Sequence, residues 1–537
     1  MSEGKEPIGW VLSPGNTVDS FEFVTEDIEG LRAGSFVYYE KESVDESIMC
    51  RVREREDTNL AVDERPESFR STVPNDLLSA IRDNDAHRFS VKILGIYDEE
   101  VGSFQNLRNP PRAGDGVYLT TSDALSEMVN PREKGEGGLR IGSLLNRSDV
   151  DVRLDLNEVA TKHLGVLAST GAGKSYTVGV LLEEMVKPGN RGTSVVFDIH
   201  GEYWTLAENH EYSDRFNHIR LPRLKVSNLD VQDFEVAFPE GMNNVQRERL
   251  REILKSLDLG KKTLGLSINP LGDNVRVNYS LDDMRDKLSE SSDVDNAIAW
   301  QLSTLKGFQS LAVENETSIE GMCEPGKCNI IEFPPGASEE ERNLIVWHLT
   351  RRIFQARRRA TRAKRGDFSG SGSNGRRRVD VPVMIVVEEA HNFAPVDRKV
   401  KTRRLLQEVA REGRKFGVGL TIVSQRPSRL DKDVLSQCNS NIIMKIKNDV
   451  DQMAIKRTVE AAGEDLIKDL PGLTVGQAVL AGSFVNTPVL AKIRERESRH
   501  GGGTPDVVEE SVQAFRDVHE QSESGEETEK GEAVYED

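Results

Sequence analysis

Cysteine is nearly missing. Four occur in 537 residues, Cys50, Cys323, Cys328 and Cys438, too few and too scattered for a disulfide framework. Cys323 and Cys328 lie close enough to suggest half of a metal site, but no second Cys or His pair follows at zinc spacing, so all four read as reduced thiols. Long apolar runs are missing too. The longest clear one, residues 381–387, begins beside a proline and falls far short of the ~18 residues a membrane helix needs. Residues 1–7 are polar and lack the apolar stretch of a signal peptide. The expectation is a cytoplasmic protein with no membrane span. An excess of positive charge is also missing: the formal net charge is −19. Taken as a sum, this argues against nucleic-acid binding, but distribution matters more. Residues 501–537 hold 12 Asp or Glu against 2 Lys or Arg, so about half of the net charge sits in a tail.

What is present exceeds one core, and the length predicts two to four domains. Up to residue 150, short apolar runs such as 10–12, 21–24, 36–39, 90–97 and 117–120 are punctuated by Gly, Pro, Asp and Asn. That spacing predicts a small barrel or sandwich. At 164–168 an apolar strand enters a glycine loop and then a helical pattern, and a second strand follows at 194–199. These are βα units of a parallel sheet. Amphipathic segments at 244–257 and 294–305 predict a helical insertion over 205–325. Strands are expected again at 329–333, 383–387, 419–424, 441–445 and 477–481, with a helix over 339–359. The resulting division is a barrel over 1–150, an α/β core over 151–204 and 326–495, the insertion between the two core segments, and an acidic disordered tail over 496–537.

The strongest chemical signal is Ala168-Ser169-Thr170-Gly171-Ala172-Gly173-Lys174-Ser175, with Tyr176 opening the helix. It fits G-x-x-x-x-G-K-[ST] except that Ala168 replaces the first glycine. A triphosphate needs converging backbone N–H groups, which glycines permit by close approach and unusual torsions. Lys174 is expected on the β- and γ-phosphates of ATP, and the Ser175 hydroxyl on magnesium. A second signal is the apolar strand 383–387 ending in Glu388 and Glu389. Alone, two acids there also fit a helix N-terminus. Beside a P-loop they read as a magnesium-holding acid, Glu388, and a water-polarising acid, Glu389.

Four segments together resemble the HerA family of hexameric DNA-translocating ATPases within the HerA–FtsK superfamily. They are the P-loop preceded by Lys162-His163-Leu164-Gly165, the segment Asp198-Ile199-His200-Gly201-Glu202-Tyr203, the segment Glu388-Glu389-Ala390-His391-Asn392-Phe393, and 411–427, REGRKFGVGLTIVSQRP. The resemblance spans roughly residues 5–495. It implies a RecA-like P-loop NTPase core with an N-terminal β-barrel. It further implies Gln425 as a polar sensor of the γ-phosphate or attacking water, Arg414 as an arginine finger, Asp198 as an additional acid near the nucleotide, and Lys162 as a helper from a subunit edge. Lys162 stands where relatives often have Arg. Asp198 also fits a simple cap, and His200 and His391 fit structural hydrogen bonding better than a metal pair. The implied activity is ATP-driven movement along double-stranded DNA as a hexameric ring, in end resection for recombinational repair, with a NurA-type nuclease docked on the barrel. Another DNA pump of the same superfamily and a non-motor ATPase switch are the alternatives.

One further concentration of charge stands out. Residues 351–378 hold eleven Lys or Arg and a single acid, Asp367, around a Gly-Ser-rich stretch. Phosphate binding is one reading; a solvated helix end, or a dock for the acidic tail, is the other.

Overall fold

In the N-terminal region apolar residues alternate with polar ones, and the strands therefore close on themselves with one face inward. The computed structural model describes all residues except 1–5, 14–18, 27–30, 42–43, 57–66, 83–85, 99–102, 106–109, 132–136, 209, 264–277, 365–378, 460–462, 502–507, 509–510 and 517–537. β1 (Gly9–Ser13), β2 (Ser20–Thr25), β3 (Phe36–Lys41), β4 (Val44–Glu56), β5 (His87–Asp98), β6 (Ser103–Gln105) and β7 (Gly116–Leu119) run β2-β1-β7-β3-β4-β5-β6, and β5 also pairs with β2. Six of them thus form a closed barrel, with β6 added at the side. Phe21, Phe23, Val37, Tyr39, Ile48, Phe89 and Val91 fill it.

The second sheet has eleven strands. In chain order they are β8 (Gly138–Leu144), β9 (Arg147–Asp155), β10 (Leu164–Leu167), β11 (Ser194–Asp198), β12 (Phe216–Ile219), β15 (Cys328–Glu332), β16 (Val383–Val387), β17 (Val418–Ser424), β18 (Ser440–Met444), β19 (Gln477–Gly482) and β20 (Val489–Ile493). The numbers β13 (Leu224–Lys225) and β14 (Leu311–Ala312) belong to a separate two-stranded ladder. The order is β12-β15-β11-β16-β17-β10-β18-β19-β20-β8-β9, parallel from β12 to β18 and antiparallel beyond. The central strands β10, β11, β16, β17 and β18 are buried along their whole length. Helices cover both faces, so a continuous apolar run is the sequence such a strand requires. This is the RecA-like P-loop NTPase core with an N-terminal barrel.

Three boundaries move. β8 and β9 hydrogen-bond into the large sheet, so a barrel boundary at residue 150 is too late; their alternating pattern is that of any antiparallel pair. The stretch 205–325 is helical at Val231–Ala237, Asn244–Thr263, Leu281–Arg285 and Asp293–Thr304, yet it also supplies β12, the edge strand beside β15. The acidic tail cannot begin at 496, because Arg496 and Ser498 are packed on the helix Lys174–Val186. Residues 517–537 of the expected tail, and residues 365–378 of the basic stretch, lie outside the described residues. Among the described residues, no helix is long and apolar enough to cross a membrane.

Candidate active site

β17 lies between the P-loop strand β10 and the acid-bearing strand β16. Three adjacent strands therefore end side by side, at the carboxyl edge where open α/β sheets place ligands. From β10 the chain turns through Gly171 (φ 77°) and Gly173 (φ 98°), left-handed torsions that favour glycine. Ala168 needs no such freedom. It is buried, its φ is negative, and its N–H donates to Ser424 O at 3.2 Å. The missing first glycine is thus accommodated as one more strand residue. The loop is held from outside too: Ser169 N–H donates to Lys445 O at 2.8 Å, and Gly476 N–H to Ala172 O at 3.3 Å. The helix that follows presents its unpaired N–H groups and positive end at the loop.

Lys174 Nζ lies 3.1 Å from Glu388 Oε1 and 2.9 Å from Glu389 Oε1. Burial disfavours the ammonium, but the two carboxylates together outweigh it and hold the lysine above its ordinary pKa. Glu388 is fully buried. Burial, reinforced by Asp198 and Glu202 and opposed by Lys174, pushes its pKa up to about 8. Glu389 differs: burial raises it, yet Lys174 and Gln425 hold it below the usual carboxylate range. The two neighbouring acids are thereby driven apart. Glu389 also sits in the left-handed region, φ 45° and ψ 45°, a conformation costing about 1–3 kcal/mol in a non-glycine residue. Gln425 Nε2 donates to Glu389 Oε1 at 2.5 Å, while Thr170 Oγ1 donates to Gln425 Oε1 at 2.5 Å. A chain of hydrogen bonds thus joins the P-loop to Glu389 through the end of β17.

Magnesium fits this donor set. Ser175 Oγ lies 3.5 Å from Glu388 Oε1, and Glu388 Oε2 is buried with no hydrogen-bond partner. Hydroxyl and carboxylate oxygens suit a hard cation that keeps several waters and otherwise binds phosphate oxygens. Among the described residues no group of three His, Cys, Asp or Glu is placed to hold a metal by itself. Cys323 and Cys328 are buried free thiols whose pKa burial pushes up to about 12.

Three of the residues singled out from the sequence, Lys162, Arg414 and Tyr176, are not part of this cluster. Lys162 precedes β10 and pairs with Glu158 at 2.6 Å. Arg414 lies in the turn Gly413–Phe416 before β17 and is exposed. Both sit at the amino end of the strands, and the length of β17 puts about 20 Å between that end and Gln425. Asp198, at the end of β11, is buried and accepts from Glu202 N–H at 3.1 Å and Tyr203 N–H at 3.0 Å. It shapes a turn beside the site, and burial raises its pKa. Tyr176 points the other way, its hydroxyl accepting from Arg496 N–H at 2.7 Å. His391 Nδ1 is 3.2 Å from Glu389 Oε2 and 3.3 Å from Ser424 Oγ. Sequence reasoning missed Glu202 and Tyr203 as site residues. Glu202 accepts from the Ser175 hydroxyl, and Tyr203 Oη donates to Glu388 Oε1 at 3.1 Å. The signal available for them was their position four and five residues beyond a buried strand-end acid.

Comparison with known proteins gives a consistent result. Residues 139–353 match the family model described as Helicase HerA, central domain. The DNA double-strand break repair helicase HerA of Sulfolobus acidocaldarius is 32% identical over 78% of this chain and 80% of its own length. That of Sulfurisphaera tokodaii is 31% identical over 76% and 79%. A probable helicase of Methanocaldococcus jannaschii is 31% identical over 78% of both chains. Among solved structures, VirB4 of Thermoanaerobacter pseudethanolicus overlays with a TM-score of 0.49 at 15% identity, covering 68% of this chain and 97% of that one.

Proposed function

The chain belongs to the HerA helicase family, and on that premise we propose that it is an ATP hydrolase that drives itself along double-stranded DNA as a hexameric ring, in end resection for recombinational repair with a NurA-type nuclease. The observation that carries the reading is the convergence of Lys174, Ser175, Glu388, Glu389 and Gln425 at the ends of three adjacent strands. On nucleotide binding, Lys174 leaves the two carboxylates for the β- and γ-phosphates, while the loop N–H groups not already bonded within the fold, those of Thr170, Gly171 and Gly173 to Ser175, cradle the same oxygens. Ser175 and Glu388 would hold magnesium, which would neutralise charge on the phosphate oxygens. Glu389, freed of the lysine and kept ionised, accepts a hydrogen bond from the attacking water and orients it in line. Gln425 holds Glu389 and reads the γ-phosphate through Thr170. Arg414 reaches the nucleotide of the next subunit, with Lys162 beside it. The barrel is the docking surface for the nuclease.

The test is turnover with and without linear duplex at several salt concentrations. Lys174→Ala is expected to abolish hydrolysis in a folded protein, and Glu389→Gln to bind ATP while hydrolysing it poorly. Wild-type turnover by Lys174→Ala overturns the site. If Glu388→Gln retains nucleotide and Glu389→Gln loses it, the two glutamates exchange roles. ATPase activity indifferent to duplex and without translocation moves the protein to the class of switches.

A further inference from the structure

The turn after β11 reaches the metal side of the P-loop with two consecutive side chains. Asp198 accepts from both Glu202 N–H and Tyr203 N–H, which fixes the turn, and Gly201 allows it with φ 66°. From this turn Glu202 accepts the hydrogen bond of the Ser175 hydroxyl, and Tyr203, wholly buried, donates to Glu388 Oε1 at 3.1 Å. The turn is braced from behind. Thr205 Oγ1 donates to Arg499 O at 2.6 Å, and a side chain on Gly501 would stand 2.8 Å from Glu202 O.

A serine hydroxyl has one proton and two lone pairs. It serves a cation well only when the proton is directed elsewhere. Glu202 takes that proton, so a lone pair of Ser175 is left for the metal. Tyr203 in turn occupies Oε1 of Glu388 and leaves Oε2, which has no partner, as the free oxygen. We propose that Glu202 and Tyr203 are the positioning residues of the magnesium site, Glu202 aiming the Ser175 hydroxyl and Tyr203 aiming Glu388. The inference rests on the magnesium–ATP reading of the P-loop and adds the pair that makes the site selective for the metal-loaded nucleotide. Their action is through other ligands, and they touch neither phosphate nor metal.

The experiment is binding of a fluorescent non-hydrolysable ATP analogue by the full chain, titrated with Mg²⁺ and repeated in EDTA. Glu202→Gln and Tyr203→Phe are each expected to leave metal-free binding unchanged and to raise the half-saturating Mg²⁺ concentration roughly tenfold or more, the usual consequence of losing an outer-shell partner. Tyr203→Phe keeps the buried ring and guards against misfolding of the glutamate variant. In a Ser175→Ala background, Glu202→Gln should add nothing further, because the hydroxyl it aims is gone, whereas independent effects would add. An unchanged Mg²⁺ midpoint in both variants, or full additivity with Ser175→Ala, overturns the proposal. Lys174→Ala separates the two levels. If it binds the analogue as the wild type does, the nucleotide site itself is misplaced; if it loses the analogue while Glu202→Gln and Tyr203→Phe keep the wild-type midpoint, only the positioning pair is wrong.

Discussion

The two ends of the central strands are built on opposite plans. At the carboxyl end of β10, β16 and β17, Glu388 and Glu389 are buried and both bonded to the half-buried Lys174. At the amino end, Arg411, Arg414 and Lys415 are exposed and make no ion pair with any described residue. At the carboxyl end the lysine is tied to acids of the same chain, although Arg426 and Arg429 beside Gln425 are also exposed; at the amino end three cations face outward. A buried cation must have its counter-charge in the same chain, whereas an exposed one is free to find it on a second molecule. On the proposed ring mechanism, the contrast marks where one chain would need a neighbour. In the proposed site a lysine, acids and an amide converge, while Arg414, the proposed finger, lies about 20 Å away along β17.

The largest expected effect breaks this contrast directly. Arg414→Ala should lower turnover by roughly 10³ or more while sparing ATP binding, the size of an arginine-finger loss. Mixing Arg414→Ala subunits with Lys174→Ala subunits should restore part of the activity, since some interfaces then pair an intact P-loop with an intact finger. The mixture must exchange subunits, which native mass spectrometry checks. Mixed rings no more active than either parent, under conditions where mixed wild-type rings stay active, refute action from a neighbour.

A smaller effect separates cations that build the amino end from those available to a partner. Arg357 is buried and donates to Phe416 O and Val379 O, both at 2.9 Å, tying the long helix Glu339–Lys364 to the starts of β16 and β17. Arg358 is stacked over Phe354 and Phe416, and Arg351 is paired with Asp230 and Asp233. These arginines of the basic stretch are structural. Arg362, on the same helix, is exposed. Arg357→Gln is expected to cost about 2 kcal/mol of stability, because it breaks hydrogen bonds from a charged donor to buried carbonyls. Replacing Arg362, Arg376 and Arg377 together by Gln should weaken duplex binding regardless of sequence. The log–log salt slope should fall by roughly one for each lost phosphate contact. An unchanged slope hands this region to a protein partner.

How much of this was open to inspection in the sequence follows from locality. The P-loop, the strand ending in Glu388 and Glu389, and the strand ending in Gln425 are contiguous motifs, each an apolar run followed at once by its functional residues, and they were legible. The strand order that brings them together is consistent with those runs but is not written in any one of them. Glu202 and Tyr203 escaped notice because their partners, Ser175 and Glu388, are 27 and 185 residues away. β12 escaped because it has four residues and one buried position. The segment 496–500 was read as tail because its charges resemble a solvated one. In the fold, Arg496 lies 3.6 Å from Glu183 with both side chains buried, and composition alone does not distinguish a buried pair from an exposed one.

That last segment yields the smallest expected effect and sharpens the contrast from the carboxyl end. Arg496 is about 1% exposed in its side chain and lies over the Tyr176 ring, 5.9 Å from its centroid. It crosses Gly179 so closely that a Cβ there would stand 2.7 Å from its guanidinium carbon. Glu183 accepts from Ser498 N–H at 3.0 Å and from Ser498 Oγ at 2.6 Å. This strap clamps the helix that follows the P-loop. A chain ending before Arg494 leaves Glu183 buried without its cations and Glu184 with Lys187 alone, so its nucleotide binding and its melting temperature should both drop. Removing residues 517–537 takes away acids and few apolar groups, which contribute little to a core. That shorter deletion should change neither the melting temperature nor ATPase activity without DNA. Its one expected consequence is tighter duplex binding at low salt, by release of the cations at the amino end from an internal competitor. The gain should vanish as salt rises past the range where exposed charges are screened. Loss of basal ATPase on removal of 517–537 contradicts the division drawn between strap and tail.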